Sequence, residues 1–298
     1  MLALLALAVS GCSGASSASA AVLDTEAATP APEASLAPAA TELPAASAAP
    51  SAGAPLAASP SPGVPLPTPA PGAVTTVPIL MYHYIRELPP NTTDKLGYGL
   101  SIAPRLFEEE LAYLAGAGYH SVSMDELVSH MTKGTPLPPK PVVLTFDDGY
   151  ADFYTTAWPL LKKYKLGATA YLVVNFLGKP GYMTWQQAQE LRDGGIEIGA
   201  HTLDHVDLAI QNPAQARRQI VESRRTLQQR LNAPVNTFAY PAGKFTPATV
   251  KLVGEAGFSS AVTTNPGQRH TTANLLTLTR VRVPGGISLP AYIKNLGG

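Results

Sequence analysis

The chain has 298 residues, with 21 basic and 21 acidic side chains, a formal net charge of zero and a single cysteine. No cluster of Lys and Arg with interleaved aromatics occurs, which argues against nucleic acid as a partner. One cysteine also rules out an intrachain disulfide. Residues 1–76 hold no Lys or Arg and only Asp24, Glu26, Glu33 and Glu42 as acids, so residues 77–298 carry 21 basic against 17 acidic residues, a net of +4.

The first residues, Met1-Leu2-Ala3-Leu4-Leu5-Ala6-Leu7-Ala8-Val9, form an apolar run too short to span a bilayer as a helix and suited to a signal-peptide core. Val9-Ser10-Gly11-Cys12 resembles a bacterial lipobox, although a basic leader is missing. The resemblance implies a signal peptide over 1–11, lipidation of Cys12 and export, with the chain held at a membrane by its acyl chains. From about Gly14 to Gly72 the sequence is almost all Ala, Pro, Ser, Gly and Thr. Such a segment lacks the large apolar side chains that offset ordering entropy, so 12–76 is expected to be a disordered tether. Residues 77–298 are ample for one core and form the expected catalytic domain.

Within that domain, Val77–Tyr84 reads as a first strand ending in His83, and 86–100 as a loop. Pro104 opens a helix with Phe107, Leu111 and Leu114 at core spacing. Tyr119–Ser123 reads as a short strand, and Ser123 with Glu126 as a capping box for the next helix. Pro141–Phe146 is a short, mostly apolar strand running into Asp147-Asp148-Gly149, and 151–165 a helix. Ala168–Val174 is a strand, Thr184 with Gln187 caps a helix to about Asp193, and Ile196–Ala200 is a strand. Asn212-Pro213 begins a helix to about Leu231, Thr237–Tyr240 is a strand, and Thr246-Pro247 opens a helix that stops at Gly257. Phe258–Thr263 and Leu278–Val283 are the last strands and Ser288–Leu296 the closing helix. Strands and helices alternate about eight times, a pattern that demands parallel strands with crossover helices, as an open doubly wound sheet or a closed barrel, and periodicity cannot separate the two.

The chemistry is concentrated where strands end. Adjacent carboxylates on extended backbone point to opposite sides, so Asp147 and Asp148 need not share a role. Ile196–Ala200 runs into His201-Thr202-Leu203-Asp204-His205, two histidines four apart that face the same way if the chain turns helically there. Two imidazoles and a carboxylate suit a divalent metal with open positions, as in a catalytic site. Asp204 and Asp207 are candidate partners for the imidazoles.

Thr145-Phe146-Asp147-Asp148-Gly149 and His201-Thr202-Leu203-Asp204-His205 resemble the first two motifs of the polysaccharide deacetylase family, carbohydrate esterase family 4. Phe238-Ala239-Tyr240-Pro241-Ala242-Gly243 resembles the third. The resemblance implies an α/β fold, a distorted (β/α) barrel of about seven to eight parallel strands, and removal of acetyl groups from an N-acetylated polysaccharide. It implies a divalent metal, Zn²⁺ or else Co²⁺, Ni²⁺ or Fe²⁺, on Asp148, His201 and His205, with Asp147 as general base. Ala242 would offer a backbone N–H to the oxyanion where many relatives carry a tyrosine, and Tyr240 and Trp185 are candidates for substrate contact. Tyr82, Tyr84, Tyr150 and Tyr182 also fall near strand ends, where aromatic faces suit sugars but more often pack the rim. The family's general acid is usually a histidine in a C-terminal motif, but no histidine follows His270, which falls in a loop-like stretch. Met81-Tyr82-His83 instead resembles the order of the circularly permuted poly-N-acetylglucosamine deacetylases, which implies His83 as general acid. Ala239 stands where many relatives place a base-orienting arginine, and Arg280 or Arg282 is the candidate replacement. A monomer is expected. Two other readings stay open: a polysaccharide O-acetyl esterase, and a catalytically silent glycan-binding lipoprotein.

Overall fold

The computed structural model describes residues 73–89 and 91–297. The signal sequence, Cys12 and nearly all of the tether lie outside the described residues. Eight parallel strands form the main sheet: β1 (Ile79–Tyr82), β2 (His120–Ser121), β3 (Pro141–Phe146), β4 (Thr169–Leu172), β5 (Glu197–Ala200), β6 (Thr237–Ala239), β7 (Ser260–Pro266) and β8 (Leu278–Arg282). Their order is β1-β8-β7-β6-β5-β4-β3-β2, and β1 also pairs with β3, so seven strands close into a barrel with β2 outside the ring. Closure answers the question that periodicity leaves open. Leu80 pairs with Val281 on one side and Leu144 on the other, the register that joins the two edges.

Among the described residues, eight α-helices accompany the sheet: α1 (Lys95–Leu100), α2 (Pro104–Gly116), α3 (Met124–Lys133), α4 (Trp158–Tyr164), α5 (Trp185–Asp193), α6 (Pro213–Leu231), α7 (Pro247–Glu255) and α8 (Leu289–Asn295). The capping boxes expected at Ser123 and Thr184 are both present. Helix α1 lies in the stretch expected to be a loop, capped by the Asp94 side chain. The helix expected over 151–165 is present, starting at residue 151, with a π-helical turn at Phe153–Ala157 before α4. The domain also starts earlier than residue 77, because Thr75–Thr76 pairs antiparallel with Arg269–His270.

Strand alternation sorts the core into two clusters. Leu80, Tyr82, Leu144, Phe146, Leu172, Ile198, Phe238 and Tyr240 face the surrounding helices. Ile79, Val143, Tyr171, Ala239, Val262 and Leu278 join Met124, Leu127 and Met131 of α3 in a second cluster that fills the barrel. Glu197, at the start of β5, fixes α3 there: its carboxylate accepts from the N–H groups of Met124 (2.8 Å) and Asp125 (2.9 Å) at the helix start. Tyr171 occupies the barrel interior, its hydroxyl 2.8 Å from Thr237 Oγ1. A Cβ on Gly199 would lie 2.4 Å from the Tyr171 ring, so only glycine fits opposite it on β5. This packed interior is the floor of the site, and as in other α/β barrels the chemistry gathers past the strand C-termini.

Candidate active site

Asp147 follows β3 on its inward face and is 3 % exposed. Arg280, inward on β8 and 1 % exposed, clasps it with two bonds, Nη1 to Oδ1 at 2.8 Å and Nη2 to Oδ2 at 2.7 Å. Arg280 is itself held, donating from Nε to the Thr263 carbonyl (2.8 Å) and from Nη1 to Thr145 Oγ1 (3.0 Å). Burial pushes the Asp147 carboxyl upward, but the charge and hydrogen bonds of Arg280 outweigh it and hold the group below its ordinary value. Of the two candidate arginines, then, Arg280 is the one that clasps Asp147. Arg282 is two residues further along the same face, exposed beyond the strand's inner end, and makes no such contact with Asp147.

Asp148 departs from strand geometry. Its φ of 74° turns the chain away from β3 and brings its carboxylate to the two histidines. His201 Nε2 lies 3.4 Å and His205 Nε2 3.3 Å from Asp148 Oδ1. One ligand atom from each of the three residues falls within a 4.8 Å cluster. His201 Nδ1 is 2.7 Å from the Ala239 carbonyl, which can only accept. Nδ1 therefore carries a proton, and Nε2 is the ring atom turned to Asp148. Burial lowers His201, but the Asp148 and Asp147 carboxylates and the Ala239 carbonyl outweigh it and raise it. Asp148 Oδ1 is buried and has no hydrogen-bond partner among the described residues. A buried carboxylate oxygen without a hydrogen bond, beside two imidazole nitrogens, is a donor set that fits a cation. Burial together with the neighbouring His201 charge pushes His205 down, toward the neutral form that a ligand needs. Burial raises Asp148, and His201, His83 and His205 outweigh it and hold it well below the carboxylate range.

The histidines do not meet on a helical turn. Thr202 (φ 69°) and His205 (φ 56°) are both left-handed, and with Asp148 and Ala242 (φ 49°) they put four strained non-glycine residues around one site. Each such conformation costs about 1–2 kcal/mol. The surroundings hold them in place. Thr202 Oγ1 accepts from the His205 N–H (2.9 Å), and Gln219 Oε1 on α6 accepts from Leu203 and Asp204, both at 3.0 Å. Gln219 Nε2 and Asn175 Nδ2 in turn donate to Asp204 at 2.7 and 2.6 Å. Asp204 thus braces the turn, whereas Asp207 caps its own backbone at Ala209. Gln219 carries no motif signal in the sequence. Gln219→Leu is expected to weaken divalent-metal binding about 10–100-fold with the fold intact; calorimetric metal titration beside a thermal melt checks this.

His83 lies just past β1, with Nε2 3.8 Å from Asp147 Oδ2. Burial pushes its imidazole below the ordinary value, and the nearby Asp147 and Asp148 charges only partly oppose this. His270 is not in a loop: it is fully buried, on the short strand beside Thr75–Thr76, and bonded to the Val77 carbonyl at 2.9 Å. Ala242 is exposed in the turn after β6, and the hydrogen bonds closing that turn are donated by Gly243 and Lys244, not by its own N–H.

Of the aromatic candidates, Tyr240 and Tyr82 lie in the core. Tyr240 is fully buried, its hydroxyl donating to the Leu276 carbonyl at 3.0 Å. It alternates with the inward Ala239, so it faces the helices and not a sugar. Tyr82 is also core, donating to the buried Glu110 at 2.9 Å. Trp185 packs against the core at partial burial, with the Arg230 guanidinium 4.0 Å over its ring. A row of aromatics runs up to the metal ligands: the part-buried Tyr84 stacks on the buried Tyr150 (3.5 Å between centroids), Tyr150 on Tyr182 (5.1 Å), and Phe176 bridges Tyr182 (4.7 Å) to His205 (6.4 Å). Phe176 sits in a 3₁₀ turn after β4, without a sequence pattern to single it out.

A closed parallel barrel with a clasped carboxylate beside a two-histidine, one-carboxylate cluster defines a hydrolase of the α/β-barrel class. Residues 134–261 match the family model described as polysaccharide deacetylase. The chain is 31 % identical over 223 residues to the Bacillus subtilis (strain 168) protein YxkH, whose name assigns it to the polysaccharide deacetylases, covering 74 % of this chain and 77 % of that one. Among solved structures it is similar to the Streptococcus pyogenes deacetylase PplD in complex with acetate, at TM-score 0.69 and 30 % identity, covering 75 % of this chain and 99 % of that one. It is also similar to IcaB from Ammonifex degensii, at TM-score 0.65 and 26 % identity, covering 75 % and 97 %. A shorter stretch, 35 % of this chain and 18 % of the relative, is 33 % identical to the poly-β-1,6-N-acetyl-D-glucosamine N-deacetylase of Escherichia coli (strain K12). The chain belongs to the polysaccharide deacetylase family, carbohydrate esterase family 4.

Proposed function

We propose that this polysaccharide deacetylase removes N-acetyl groups from a polymer containing N-acetylglucosamine, with a divalent cation held by Asp148, His201 and His205. The observation that carries the reading is the buried Arg280–Asp147 clasp directly beside that cluster, with His83 on the other side of Asp147. Zn²⁺ suits two imidazoles and a carboxylate, with Co²⁺, Ni²⁺ and Fe²⁺ as alternatives. When bound, such a cation polarises the acetyl carbonyl and acidifies water. Asp147, kept ionised and fixed in direction by Arg280, accepts the proton of the attacking water. The Ala242 N–H stands past β6 as a donor for the developing oxyanion. His83 protonates the departing nitrogen. An amine cannot leave as an anion, whereas an ester oxygen with a good leaving group can, so His83 favours amide over ester chemistry.

The named substrate of the Escherichia coli relative supports an N-acetylglucosamine polymer. The apolar start and Cys12 support export and a lipid anchor that leaves a monomeric domain facing an extracytoplasmic glycan.

The test is acetate release by protein stripped of metal and reloaded with each cation in turn, on poly-N-acetylglucosamine, chitin oligomers, peptidoglycan and O-acetylated xylan. Metal-dependent release from an N-acetylated polymer is expected, and release from xylan alone would mean an esterase. His83→Ala is expected to lower turnover of the N-acetyl polymer about 10²–10⁴-fold while sparing an activated aryl acetate that needs no acid. Equal losses on both substrates would remove His83 from the acid role.

A further inference from the structure

On the mouth face of the barrel, a cavity of about 340 Å³ opens between the segment after β1 and the segment after β8, where α2 and α8 begin. Its lining includes Arg86, Glu87, Tyr98, Ser101 and Gly286, none of which takes part in the chemistry above. The volume falls in the ~300–1,000 Å³ range of small-molecule sites.

Two features mark it as built. Arg86 is fixed: Nε donates to Ser101 Oγ at 3.1 Å, its backbone N–H to the Ile102 carbonyl at 2.9 Å, and its guanidinium lies 3.4 Å over the Tyr84 ring. Tyr98 is fixed too, although 52 % exposed. A Cβ on Gly285 would fall 1.8 Å from the Tyr98 carbonyl oxygen, and one on Gly286, at φ +72°, 2.2 Å from the Tyr98 hydroxyl. The glycine pair lets the β8–α8 segment lie directly against an aromatic side chain that remains open to solvent. An exposed, immobilised tyrosine beside a fixed guanidinium and the free carboxylate of Glu87 offers an apolar face with convergent polar groups.

The cavity is also joined to the reaction centre. Arg86 lies on Tyr84, Tyr84 stacks on Tyr150, and Tyr150 follows Asp148-Gly149 in the chain. Two stacked rings therefore separate Arg86 from the loop that carries the metal-binding carboxylate. From this we infer that the cavity is a second sugar-binding subsite, filled by a neutral pyranose of the same polymer chain whose acetyl group is at the metal site. The pyranose would lay its apolar face on Tyr98 and direct hydroxyls to Arg86 and Glu87. The identity of the occupant rests on the de-N-acetylase reading; the existence of the subsite rests on the cavity.

The experiment compares the dimer and hexamer of β-1,6-linked N-acetylglucosamine with the metal-loaded protein, Tyr98→Ala and Tyr98→Phe. Wild type is expected to favour the hexamer in kcat/KM. Tyr98→Ala should lose about tenfold on the hexamer, chiefly in KM, with the dimer unchanged, as expected for loss of one stacking contact. Tyr98→Phe keeps the ring and should keep the preference. Equal treatment of dimer and hexamer by wild type, equal losses on both in Tyr98→Ala, or no loss on either overturns the subsite. If wild type releases acetate from neither, the de-N-acetylase reading fails separately, and calorimetric titration of the hexamer decides. Binding weakened by Tyr98→Ala retains the subsite, and absent or unaltered binding removes it.

Discussion

Replacing Arg280 with leucine is expected to cost more than any other single change outside the metal ligands. The guanidinium and the Asp147 carboxylate are both buried and joined by two hydrogen bonds, so removing one leaves an uncompensated charge in the barrel. Breaking such a pair costs about 3–5 kcal/mol, and for a domain of this size that lowers the melting temperature by on the order of 10 °C. Catalysis suffers independently, because a base displaced from its line of attack loses about 10²-fold. The pH dependence separates the two effects. In the wild type the carboxyl is depressed, so the stability given by the pair is complete above the ordinary carboxylate range and is lost only as pH falls through the lowered folded value. In Arg280→Leu only the smaller effects of His83 and His201 oppose burial, and Asp147 rises. Stability then declines as pH rises through the carboxylate range, and the acid limb of acetate release moves to higher pH. Melts and pH–rate profiles measure both, and an unmoved acid limb would mean that Arg280 is only structural.

Asp148→Asn is expected to abolish metal-dependent acetate release while leaving the metal-free protein at least as stable as wild type. In the metal-free protein, Asp148 Oδ1 is a buried acceptor without a donor, facing two imidazole nitrogens. A carboxamide removes a charge that raises His201 and supplies an N–H to Nε2 of the then neutral ring, so a group that is costly without a cation becomes a satisfied one. The stabilisation that a cation confers on the wild type, about 2.7 kcal/mol at a hundredfold excess over Kd, should vanish in the variant. Thermal melts with and without chelator check both halves. A variant that melts well below metal-free wild type would show that Asp148 holds the fold by a contact other than the metal.

Several site residues were legible because their chemistry leaves a local trace. Asp147-Asp148-Gly149 ends an apolar strand, and His201 and His205 bracket a turn after another, and these spacings survive in any correct fold. The alternation of strands and helices likewise demanded parallel strands. The sequence was less explicit about direction. Alternation along β6 puts Ala239 inward and Tyr240 outward, so the tyrosine beside the third motif is core. The same rule along β8 sends both Arg280 and Arg282 to one side, but only depth in the barrel distinguishes a buried clasp from an exposed rim residue.

The residues themselves determined that this is a parallel α/β domain with a carboxylate–histidine hydrolytic centre, because periodicity and donor type are properties of neighbouring positions. Tertiary structure alone decided the rest. It closed the sheet through β1 and β3, which are separated by three helices and β2 in the chain. It brought Arg280 to Asp147 across 133 positions and Gln219 to the histidine turn from a helix. It also turned the Asp148 carboxylate toward the histidines through a left-handed backbone that no propensity favours. Contacts between distant segments depend on which edges pair and in what register, and one strand's pattern does not encode that.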